Sequence, residues 1–235
     1  MPNISTHAKI IKEVYSKNKK FNLDYLVSGS IFPDYYYFLK YQKYNDPTNL
    51  LHSKLAKRYS EKLIKSAKNK KELSFAIGVY SHIIVDQKVH AYLRKNKLEK
   101  NINHLVIEHF LEIKQHTPVN KILICKNLIK RTIPKKYYIH LKKINLFNSI
   151  KFILFNKTIF FLIKQKYINK KRSKKKSIWN LILRIGYKRP LKRVEFTDIE
   201  KIVNPNFKLK KHIKNIEKEI NLSKKEIIKK IKELI

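Results

Sequence analysis

The chain has 235 residues, 43% of them hydrophobic, enough to bury the core of one large domain or two small ones. A formal net charge of +38 directs it towards anionic partners: nucleic acid, phospholipid surfaces or phosphorylated substrates. One cysteine excludes an intramolecular disulfide framework, and three glycines argue against turn-rich β structure.

Part of the charge reflects a base-composition bias that also inflates Ile, Asn and Tyr. The start, MPNISTHAKIIKEV, lacks the basic-then-apolar pattern of a secretory signal. With the lone Cys125 this gives the expectation of a cytoplasmic protein, drawn to membranes by its charge.

Residues 1–20 predict a first helix, with polar capping groups between Pro2 and Thr6. Taken alone, His7 in its first turns is expected to face solvent. Residues 21–49 are expected to be less regular, because Gly29 and Pro33 interrupt LVSGSIFPDYYYF. Asp34, after the proline, reads on its own as a helix N-cap or turn residue. The YYYFLKYQKY run reads as a packed aromatic segment.

Residues 50–68 are amphipathic, with Leu51, Leu55, Tyr59 and Leu63 recurring every four. His52 lies one step off that stripe. Residues 72–95 predict the central helix, with Ala76, Val79, Ile83 and Val89 as its apolar contacts. Gly78 costs that helix about 1 kcal/mol against alanine. A glycine there admits close approach of another helix or of a site. Residues 101–115 predict a further helix carrying His104, Glu108, Leu111 and Glu112.

After Glu112 the composition changes. Ile113 to Val194 holds 24 Lys and Arg and no Asp or Glu. Within it, INLFNSIKFILFNKTIFFLI at 144–163 is interrupted by Lys151 and Lys157. It reads as a membrane-surface or buried helix rather than a membrane span. KKRSKKKS at 170–177 reads as a solvated loop. Lys208 to Ile235 predicts a charged amphipathic helix or helix pair, with Ser223 and Glu226 spaced as a capping box. The expected fold is all-α: a helical core over 1–115 and a strongly basic helical region over 116–235 packed on it.

Seven of the nine histidines lie in the first 116 residues. Two pair with carboxylates at i,i+4, His82 with Asp86 and His104 with Glu108, so each pair shares a helix face. Imidazole and carboxylate are the usual non-thiolate ligands of zinc. His90 lies two turns past His82, about 12 Å along a helix axis. That is too far to share one ion and suits two ions with Asp86 between them.

FAIGVYSHIIVDQKVH, followed by NHLVIEHFLE and preceded by GSIFPD and LLHS, resembles the zinc-dependent phospholipase C family. That family shares its all-helical fold with the P1-type zinc nucleases. The resemblance covers about residues 1–115 and implies a zinc site that hydrolyses phosphodiesters. By motif position, it implies one ion on His52, His82 and Asp86. A second would be held by His7 and Asp86, with Asp86 as the bridge, and a third by His90, His104 and Glu108. Asp34 takes the position of the residue that acts as general base or orients the attacking water.

Two departures bear on this set. Secreted members use a processed N-terminus as a ligand, whereas here Met1 precedes His7 by six residues, so two to three ions are expected. The gap from Asp86 to His90 is also shorter than in the best-known members. His109 is the alternative to His90, but it points about 100° away from Glu108 on a helix.

The basic half interleaves aromatics with lysines in YYIHLKK and KSIWNLILRIGYKRP. Arg172, Arg184, Arg189 and Arg193 are its expected anion contacts, since arginine binds phosphate bidentately. The reading is a zinc-dependent phosphoesterase acting on a phospholipid head group at an anionic membrane surface, with nucleic acid as the second substrate class. The alternative from another class is a non-catalytic basic protein binding nucleic acid or membrane, its histidines structural.

Overall fold

The computed structural model describes residues 4–16, 19–40, 55–98, 106–107, 110–111 and 207–234. Among them are five helices and no strand: α1 (Ile4–Ser16), α2 (Leu23–Lys40), α3 (Ala56–Lys65), α4 (Lys70–Lys95) and α5 (Phe207–Lys232). His52, His104, Glu108, His109, Arg172, Arg184, Arg189 and Arg193 lie outside the described residues. So do the 144–163 and 170–177 stretches.

Helix α4 is the hub, and α1, α2, α3 and α5 all pack on it. Every residue from Ser74 to Asp86 is buried. A helix enclosed on all sides needs no amphipathic stripe. Ala76, Val79, Ile83 and Val89 are all in the core, as their pattern predicts. The helix begins at Asn69, whose side chain accepts the Glu72 N–H at 2.9 Å; Glu72 in turn accepts the Lys68 N–H at 2.9 Å. It ends where Lys97 turns into the left-handed region, φ 54°. Val106, Ile107, Phe110 and Leu111 are helical and buried in the same core.

Three expectations need correction. Residues 23–40 form one helix that runs through Gly29 and Pro33. Proline brings no N–H for the Gly29 carbonyl, but burial of Leu26, Val27, Ile31 and Phe32 outweighs that loss. Asp34 is therefore a mid-helix residue, not a cap. On α3 the buried face is Ala56, Ser60, Leu63 and Ile64, while Leu55 is exposed. The buried stripe is therefore rotated from the expected one, with Ala56 and Ser60 inside and Leu55 outside. Finally, α5 is one helix through Ser223. That hydroxyl donates to the Glu219 carbonyl at 2.8 Å instead of capping a new helix.

The contact between α2 and α4 is made by glycine. A Cβ built on Gly78 would meet the Leu26 carbonyl oxygen and lie 2.9 Å from the Gly29 Cα. One on Gly29 would meet the Phe75 carbonyl and lie 3.1 Å from the Gly78 Cα. The two backbones therefore touch, at a distance any side chain would forbid. The expected close approach at Gly78 is to helix α2.

Candidate metal centre

The glycine crossing sets the register of the site. His82 and Asp86 stand one and two turns past Gly78 on α4. Ser30 adjoins Gly29 on α2, and Asp34 stands one turn further. The His82 Nδ1 donates to the Ser30 carbonyl at 2.8 Å, since a carbonyl only accepts. This leaves Nε2 facing the carboxylates, 3.6 Å from Asp34 Oδ1 and 3.4 Å from Asp86 Oδ2. Helix α1 adds His7, whose Nε2 is 3.3 Å from Asp86 Oδ1. The His7 and His82 rings stack at 3.9 Å between centroids, 21° from parallel.

All four side chains are buried: His7 and His82 fully, Asp34 5% and Asp86 7% exposed. Both His7 nitrogens and Asp34 Oδ1 are buried without a hydrogen-bond partner. Such groups cost free energy unless something else satisfies them.

The electrostatics follow from the same crowding. Burial, then the adjacent His82, lowers the His7 pKa to about 3. Burial raises Asp34 to about 7, with Asp86 adding to the rise and His82 opposing it. Burial pulls His82 down, but Asp86 and Asp34 outweigh it and the net shift is upward. Burial pushes Asp86 up, but His82 and His7 help hold it well below the usual carboxylate range.

The donor set suits zinc. Its usual non-thiolate ligands are imidazole and carboxylate, at bonds near 2.1 Å, which in a tetrahedron keeps ligand atoms about 3.4 Å apart. The contacts here run from 3.3 to 3.6 Å, longer than the usual 2.7–3.0 Å or so of a charged hydrogen bond. One ligand atom from each of His7, Asp34 and His82 falls within 4.8 Å of the others. The residues fit the metal.

Of the sequence-predicted residues, the structure thus gathers His7, Asp34, His82 and Asp86. His7 is buried, against the expectation drawn from its position alone. His90 is half-buried on α4, one turn past Asp86, and does not belong to this group. Sequence reasoning missed Ser30, which works through its backbone carbonyl and so leaves no side-chain signal. It also missed Thr6 and Ser81, whose buried hydroxyls have no hydrogen-bond partner and which precede the two histidines directly.

Fold and site together define a helical protein with a buried candidate metal centre on its central helix. Residues 4–147, more than half of the chain, match the family model for zinc dependent phospholipase C, and the chain belongs to that family. No curated protein and no solved structure matches it.

Proposed function

We propose that the chain is a zinc-dependent phosphoesterase that cleaves a phosphodiester by attack of water. The observation that carries this reading is the buried set of His7, Asp34, His82 and Asp86, in which both His7 nitrogens and Asp34 Oδ1 have no hydrogen-bond partner. Membership of a family described as zinc dependent phospholipase C supports it. Bound zinc supplies Lewis-acid chemistry, making water a nucleophile near neutral pH and polarising a phosphoryl oxygen.

This chain's own residues take the following roles. His82 presents Nε2, because Ser30 fixes its tautomer and ring plane through Nδ1. Asp86 bridges the two stacked imidazoles and offsets positive charge. Asp34 orients the attacking water and takes its proton. His52, His90, His104 and Glu108 are proposed to complete a site of two to three ions. The substrate class is a phospholipid head group, with nucleic acid as the competing phosphodiester.

The test is zinc content by mass spectrometry together with hydrolysis of a chromogenic phosphodiester. Two or three zinc ions per chain are expected, with turnover abolished by chelation and by Asp34→Asn in a protein of unchanged circular dichroism. A chain that takes up no zinc when it is supplied would sink the proposal and leave a non-catalytic basic protein.

A further inference from the structure

Helix α5 carries a second feature unrelated to the metal centre. Its inner face is Leu209, Ile213, Ile216, Ile220, Ser223, Ile227 and Ile231, all buried in the core. Opposite runs a line of exposed residues: Lys211, Lys214, Lys218, Leu222, Lys225, Lys229 and Lys232. Their spacing of three and four keeps them within about 80° of arc over about 32 Å of axis. Six are lysine, one is leucine and none is acidic.

The acids of this helix are held off that line. Glu217, Glu219 and Glu226 are each half-buried on its flanks. Glu226 turns towards the body, where Lys57 and Lys88 each approach a carboxylate oxygen at 2.9 Å. Glu233, exposed just past the helix end beside Lys232, pairs with Lys230 at 3.0 Å. Up to that last turn the charge is sorted across the helix and not merely abundant.

We propose that this lysine line docks the protein onto an anionic phospholipid surface. A straight row of cations matches a flat negative plane, whose pull on each lysine falls off within a Debye length. Leu222, 47% exposed in the middle of the row, supplies an apolar contact for the interface. The other exposed large hydrophobic among the described residues is Leu55. It stands two residues before Lys57, whose partner Glu226 lies one turn past Leu222.

A nucleic-acid surface fits less well. The line has no aromatic on which a base could stack and no arginine to grip a phosphate bidentately. In purpose the inference rests on the phosphoesterase reading, since it brings a lipid-cleaving site to its substrate. In chemistry it is independent of zinc.

The experiment measures binding of the full chain to phosphatidylcholine vesicles with and without phosphatidylserine, by co-sedimentation. Four lysines of the line are changed together, Lys214→Gln, Lys218→Gln, Lys225→Gln and Lys229→Gln. The control changes four exposed lysines elsewhere, Lys62→Gln, Lys65→Gln, Lys68→Gln and Lys70→Gln. At roughly fivefold per lysine near the surface, the first set should weaken binding to anionic vesicles at least a hundredfold. The control should lose less than tenfold. Arginine at the same four line positions should restore binding, which separates charge from misfolding.

Hydrolysis of a soluble phosphodiester should be the same in all variants, so loss of docking and loss of catalysis are read separately. Equal losses in the line and control sets would overturn the proposal in favour of net charge alone. So would tighter binding to duplex oligonucleotides than to phosphatidylserine vesicles that is lost with the line set, which would assign the face to nucleic acid.

Discussion

Two charged clusters sit on helix α4, and they are built in opposite ways. At His82 and Asp86 the charges are buried and spaced for a third party. At Lys88 the charges are half-exposed, and Glu226 joins helices α3, α4 and α5 at hydrogen-bonding distance. The second cluster is complete within the protein. The first keeps its charges at 3.3 to 3.6 Å, the spacing of the proposed metal centre, and that distinction separates a candidate site from a strut.

The sharpest way to break this comparison is Asp86→Ala. It should remove most bound zinc and lower phosphodiester turnover about a thousandfold, roughly 4 kcal/mol of barrier. Zinc content and turnover measured on one preparation check both. Full retention of zinc would make Asp86 a structural partner of His82, no different in kind from Glu226.

Next in size is the glycine crossing that positions the first cluster. Gly78→Val must move backbone, because a Cβ meets the Leu26 carbonyl. We expect a loss of about 3 kcal/mol in urea unfolding, together with loss of zinc, because the Ser30 to His82 register goes with it.

Zinc affinity should also depend on pH. In zinc-free protein Asp34 holds its proton up to about 7, and His82 is likewise shifted up. Zinc charge at the centre drives those protons off, so its affinity should fall as pH drops below about 7, approaching tenfold per unit from the Asp34 proton alone. His7, lowered to about 3, stays neutral over that range and contributes nothing to the slope. Titration calorimetry in buffers of different ionisation enthalpy should detect proton release on binding.

The smallest effect belongs to the strut. Glu226→Gln should cost about 1 kcal/mol or less, as exposed ion pairs do. Burial acts to raise the Glu226 pKa, but Lys57 and Lys88 outweigh it and the folded value is lowered. Its contribution is therefore present above the ordinary value of 4.5 and is lost as pH falls through the folded one. Melting temperature followed from pH 6 to pH 3 should show an acid limb that the Gln variant reduces.

Helix α4, its i,i+4 pair and the close approach at Gly78 were legible in the sequence because each is a local pattern. Asp34 was placed by its GSIFPD motif, but its helix was not, since Pro33 and Gly29 read as breakers until burial is known. Ser223 and Glu226 imitate a helix start, yet Glu226 is spent on Lys57 and Lys88, partners 169 and 138 positions away in the chain. The rotation of the α3 stripe has the same origin. Which residues of an amphipathic helix go inward depends on the neighbours it packs against, and Ala56 and Ser60 are buried where Leu55 is exposed.

The Ser30 to His82 contact has a consequence in time as well as space. It joins positions 52 residues apart, and no local helix formation brings them together. During synthesis Ser30 waits roughly 3 to 10 s for His82 to be added. A chain with α1, α2 and α3 formed but α4 still emerging has three of its helices and no centre. In the proposed centre zinc binding would therefore report on long-range folding, and its onset in a translation reaction would time the moment when the two glycines meet.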